Sequence, residues 1–113
     1  MNPREIMDKL NDCIIALGKG NIQYKTLALQ KNKAEKEYRV SLAKKMLRLR
    51  AEGYPVSLIN DLSRGDEEVS ELRLKRDISN SSFYACKNSI DALKSEIEIY
   101  RSLLTWLREE YKN

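Results

Sequence analysis

The chain is predicted to be all-α: a long antiparallel two-helix hairpin with a short helix at the connection, expected to pair into a helical bundle. Three observations predict it. Helix breakers are scarce, with four Gly and two Pro in 113 residues. Apolar residues recur in steps of three and four over most of the chain, which is the period of one helix face. The composition, 42% hydrophobic and 34% charged, suits a narrow apolar seam beneath a large solvated surface. It is too apolar for a disordered chain and too charged for a thick globular core. At this length a single domain over residues 1–113 is expected, with helices at 3–52 and 66–111 and the connection at 53–65.

The first helix has a complete start signal. Asn2 can cap, Pro3 suits the first helical position, and Glu5 stands where a capping box needs it. Its seam reads Ile6, Leu10, Ile14, Leu17, Tyr24, Leu27, Ala28, Tyr38, Leu42, Met46 and Leu49, interrupted by polar residues around Lys31 and Glu35. Gly18 and Gly20 each weaken a helix interior by about 1 kcal/mol relative to Ala. The phase runs on across them, so one helix is expected, about 75 Å long at ~1.5 Å per residue.

In the connection, Gly53 suits a helix C-cap and Pro55 forces Tyr54 into an extended conformation. Val56, Leu58, Ile59 and Leu62 are too apolar for a plain loop and predict a short helix over the end of the hairpin. Asp66, Glu67 and Glu68 then place negative charge on the positive end of the next helix.

That second helix carries the clearest pattern. Val69, Leu72, Arg76, Ser79, Phe83, Cys86, Ile90, Leu93, Ile97, Tyr100, Leu104, Leu107 and Tyr111 form an unbroken heptad seam. The SNSS run at 79–82 lowers helix propensity, but the phase passes through it. Pairing residue numbers that add to about 119 sets Tyr100 near Gly18 and Gly20, Leu104 near Ile14 and Ile15, and Leu107 near Cys13. Cys13 and Cys86 fall far apart under that register and read as small buried hydrophobes, with no internal bridge expected. A second stripe, Ile78, Ala85, Ala92, Ile99 and Trp106, repeats every seven residues, with Leu103 beside its end. One partner helix cannot cover both stripes. Ile78, Ile99, Leu103 and Trp106 are therefore the expected protein interface, and a homo-oligomer, first of all a dimer, the expected assembly.

Catalytic and cofactor signals are missing from the sequence. There is no histidine, the commonest general base and metal ligand. There is no phosphate-cradling glycine loop, CxxC pair or nucleophile elbow. GKGN at 18–21 lacks P-loop spacing, RGD at 64–66 reads as a helix junction, and the adjacent acids Glu67/Glu68 and Glu109/Glu110 point in different directions. No enzyme activity, catalytic residue, cofactor, metal or small-molecule substrate is expected. No apolar run approaches the ~20 residues of a membrane span, and the charged start is unlike a signal peptide. A cytoplasmic protein without membrane contact is expected.

The charge is uneven. Residues 31–50 hold eight Lys and Arg against Glu35 and Glu37, a net +6 in a chain of +4 overall. Antiparallel packing is expected to bring Arg73, Lys75 and Arg76 beside residues 43–50. The alternative function is thus nucleic-acid binding by a basic tip of Lys44, Lys45, Arg48, Arg50, Arg73, Lys75 and Arg76, with affinity falling as salt rises.

The run LINDLSRGDEEVSELRLKRD, followed by a helix containing IDALKSEIEIYRSLLTWLREEY, resembles small helical proteins encoded by bacteriophages and prophages of Gram-positive bacteria. The shared features are a junction like Leu58 to Asp66, an Arg-Asp pair like Arg76-Asp77, and an ending like Ile97 to Tyr111. The resemblance spans most of residues 38–111. It implies a phage or prophage accessory protein and brings no established functional residues. Such proteins are often encoded among genes for phage DNA metabolism, which adds to the nucleic-acid alternative by association only. The leading expectation is a non-enzymatic, oligomeric interaction module with an unidentified protein partner.

Overall fold

The computed structural model describes residues 1–112; Asn113, the last residue of the predicted domain, lies outside the described residues. Three helices follow one another: α1 (Pro3–Ala51), α2 (Val56–Arg64) and α3 (Glu67–Lys112). There is no strand among the described residues. The chain is an all-α helical hairpin.

Each boundary has a local cause. The Glu5 N–H donates to Asn2 Oδ1 at 2.9 Å, capping the start of α1, and Asn2 Nδ2 donates to Glu5 Oε1 at 3.1 Å, so the Glu5 side chain holds the cap in place. At its other end Gly53 adopts φ 88°, a conformation open to a residue without Cβ. The Tyr54 N–H reaches the Leu49 carbonyl at 3.1 Å and the Gly53 N–H reaches Arg50 at 3.1 Å. These paired bonds satisfy the last carbonyls of α1, and Pro55 prevents the helix from resuming. Asp66 opens α3, its Oδ2 accepting from the Val69 N–H at 3.1 Å while its carbonyl accepts from Ser70 at 2.8 Å. Further along α3, hydroxyls that could compete with the helix bond back to it, as Ser95 does to the Asp91 carbonyl at 3.2 Å.

The chain divides into two compact units, Met1–Lys25 with the segment from Tyr84 onward, and Thr26–Phe83. In the first, α1 and α3 meet through Ile6, Cys13 and Ile90, all buried, with Gly20 beneath Ile90. In the second, Ala34, Tyr38, Leu49, Ile59, Ser63 and Val69 are buried, so α2 adds to the packing of α1 and α3.

The seam of α3 is as the heptad pattern predicts: every one of its positions from Val69 to Leu107 is at least partly buried, and only Tyr111 is exposed. The seam of α1 differs in two places. Ile14 is half exposed and Cys13 takes the inward position. The expected interruption near Lys31 and Glu35 does not occur, because Lys31, Ala34 and Tyr38 keep the three-and-four spacing and Ala34 is 2% exposed.

The predicted register is corrected. Ile90, not Tyr100, faces Gly20, and Cys13 lies against Glu96 rather than Leu107. Paired residue numbers add to about 110, a slide of about nine residues from the value of 119. Lys45 bonds Asp66 at 3.3 Å, so α3 starts level with Lys45 and not with the end of α1. The cause is α2. Lys45, Leu49, Tyr54 and Leu62 line one hollow, where the short helix occupies the length of α1 that α3 was expected to cover.

Candidate interaction surfaces

The apolar stripe on α3 is exposed along its length. Ile78 and Ile99 are each 58% exposed, Leu103 is 38% exposed and Trp106 is 65% exposed, and Ala85 and Ala92 between them are also open. The inward seam of the same helix is already occupied by α1. These residues are therefore surplus to the intrachain core, and their heptad spacing keeps them on one side of α3. Among isolated surface hydrophobics such a repeat is unusual, and a Trp at its end has the makeup of an interface anchor. A further exposed stripe on α1, Ile15, Ile22 and Leu29, also repeats every seven residues. Its spacing is visible in the sequence, outside the seam assigned to α1.

Arg76 lies with its guanidinium carbon 4.4 Å from the Tyr38 ring centroid, 3.6 Å from Glu35 and 3.0 Å from Asp77. Lys75 bonds Glu37 at 3.2 Å. Both therefore sit beside residues 35–38, not beside residues 43–50 as expected, for the register reason given above. Lys45 is engaged by Asp66. Lys44, Arg48, Arg50 and Arg73 are exposed and make no ion pair among the described residues. The seven cations do not converge as one tip: three are neutralised and four stand open.

A groove of about 540 Å³ lies in Thr26–Phe83 between α1 and the start of α3. Val40, Val69 and Leu72 give it an apolar floor, and Lys33, Lys36, Lys44 and Arg48 rim it, beside Lys45, Glu37, Asp66 and Glu68. Two of its three acids are consumed, Glu37 by Lys75 and Asp66 by Lys45. The Asp66 carboxyl is held below the ordinary aspartate value, chiefly by the Val69 N–H and then by Lys45. It stays ionised and tied to the helix start. The groove therefore offers free positive charge around apolar surface. Lys33 and Lys36, which the sequence reading counted only within a charge block, join it because α1 turns them to the same side as Lys44.

Cys13 and Cys86 are free thiols. Burial, then the hydrogen bond to Glu96 at 3.3 Å, pushes the Cys13 thiol above its ordinary value. No cluster of three or more His, Cys, Asp or Glu placed to hold a metal ion occurs among the described residues. Among the described residues no helix is long and apolar enough to cross a membrane.

No protein-family model, curated protein or solved structure matches this chain.

Proposed function

We propose that this chain is a non-enzymatic, oligomeric interaction module, and a phage or prophage accessory protein as the junction resemblance implies. One observation carries the assembly reading. α3 presents Ile78, Ile99 and Trp106 to solvent on a seven-residue repeat, with Leu103 beside its end, while its other apolar face is filled by α1. Covering that stripe removes apolar area from water at roughly 25 cal/mol per Å². A second helix laid along it is the simplest cover, because the same repeat that builds a hairpin seam builds an intermolecular one. Light scattering is expected to return at least twice the 13.2 kDa of one chain, and Trp106→Glu is expected to lower it. A single-chain mass for the unaltered protein at high micromolar concentration rejects the reading.

Nucleic-acid binding is the second reading, favoured by the four open cations Lys44, Arg48, Arg50 and Arg73. Phosphate contacts of this kind weaken steeply with salt, by roughly one power of salt concentration per phosphate neutralised. Retardation of an oligonucleotide at low salt, lost on reversing Lys44 and Arg48, supports it. No retardation removes it.

A further inference from the structure

The outer surface of α3 after Tyr84 has a charge pattern that matches the groove in Thr26–Phe83. Four of its five cations, Lys87, Lys94, Arg101 and Arg108, recur every seven residues and so lie on a single stripe, with Lys112 off it at the helix end. From Tyr84 to Tyr111 the exposed positions flanking Ile99 and Trp106 carry no Lys or Arg at all. Beside Trp106 they carry acids instead, Glu109 and Glu110 one turn on and both exposed; Asp91 and Glu98, also exposed, stand further round the helix, one turn from Lys87, Lys94 and Arg101. Only Glu98 has an ion-pair partner there, Arg101 at 3.6 Å in an open pair. This is an acidic, apolar helix face. The groove is its complement, with Lys33, Lys36, Lys44 and Arg48 around an apolar floor.

We infer that the groove is the seat for the α3 face of a second copy of this chain, with Trp106 and Ile99 over Val40 and Leu72 and the flanking acids against the basic rim. The inference rests on the oligomer reading above and adds what the stripe packs against. Each copy carries one groove and one acidic face, so the contact joins unlike surfaces. Like charge disfavours a parallel stripe-against-stripe arrangement, in which Glu109 and Glu110 would meet their own kind. A nucleic acid backbone would have no use for the apolar floor of Val40, Val69 and Leu72. An acid-flanked Trp satisfies both parts of the groove at once.

Charge exchange tests this. Lys44→Glu with Arg48→Glu reverses the rim, and Glu109→Lys with Glu110→Lys reverses the face. All four positions are exposed, and helical content measured by circular dichroism confirms the fold of each variant. Each double variant alone is expected to associate at least tenfold more weakly than the unaltered chain. An equimolar mixture of the two is expected to recover the assembled mass, because each reversed surface then finds its opposite on the other variant. Trp106→Glu is expected to dissociate and to be rescued by neither.

If both double variants keep the unaltered mass while Trp106→Glu dissociates, the stripe assembles in another way and this inference is overturned alone. A mixture that stays dissociated overturns it as well. Loss of oligonucleotide retardation in the rim variant, with its mass unchanged, assigns the groove to phosphates. A monomeric unaltered chain overturns the oligomer reading and this inference together.

Discussion

Within Met1–Lys25 and the segment from Tyr84, α1 and α3 meet through Ile6, Cys13, Gly20 and Ile90. Within Thr26–Phe83 the same two helices meet through Arg76 on Tyr38, Lys31 over Phe83 at 5.4 Å, and Lys75 on Glu37. The first contact set is apolar and close; a Cβ on Gly20 would stand 3.3 Å from Ile90. Apolar burial is strong but non-directional, and a slide by one heptad would replace one apolar layer with another. The second set is partly charged and solvated, so each ion pair adds little stability. It does name its partners: Arg76 has acids at Glu35 and Asp77 and a ring at Tyr38, and a slide strands it. Both units bury apolar side chains, Ala34, Leu49, Ile59 and Val69 among them in Thr26–Phe83; the charged contacts found there add direction to that burial.

The largest effect that could break this division is expected at Ile90. Ile90→Ala removes a 7%-exposed side chain and leaves a gap over Gly20, at a cost of about 2–4 kcal/mol in urea unfolding. Arg76→Met, which keeps an unbranched apolar side chain and removes the guanidinium from Tyr38, Glu35 and Asp77, is expected to change stability by no more than about 1 kcal/mol. Comparable losses at the two sites would end the contrast between them.

The glycines sharpen it. Gly18→Ala meets no atom within 4 Å and is expected to stabilise α1 by about 0.5–1 kcal/mol through helix propensity and a less free unfolded chain. Gly20→Ala meets Ile90 and is expected to gain less. Combining it with Ile90→Val should recover part of the difference. Equal gains at both glycines would mean that the helices do not approach as closely as the Gly20–Ile90 contact requires.

The smallest expected effect is at the start of α3. The depressed Asp66 carboxyl contributes stability above the ordinary aspartate value, and that contribution is lost as pH falls through its lowered one. Asp66→Ala should therefore lower the melting temperature at neutral pH, with the gap to the unaltered chain closing in acid. A gap independent of pH would show that the charge on Asp66 plays no part.

Much of this molecule is legible before folding. The cap at Asn2 and Glu5, the stop at Gly53, the short helix from Val56 and the whole α3 seam follow from neighbours within one or two turns. The open stripe of Ile78, Ile99, Leu103 and Trp106 is legible too, because a seven-residue repeat reports which side of a helix a residue occupies. The missed α1 positions are instructive. Ala34 was hidden among Lys and Glu, and Ile14, read as part of the seam, stands half exposed beside Cys13, whose burial was expected.

Local chemistry and period therefore determined the helices, their ends and their faces. Which heptad meets which was left to the tertiary structure, since one apolar layer looks like the next to a repeat. α2 made that choice by burying Ile59 and Ser63 with Leu49, which starts α3 level with Lys45. The resulting slide put Arg76 and Lys75 among the acids at Glu35 and Glu37, and left Lys33, Lys36, Lys44 and Arg48 open around the groove. Charge at a position is written in the chain; whether it is neutralised depends on what packing sets across from it.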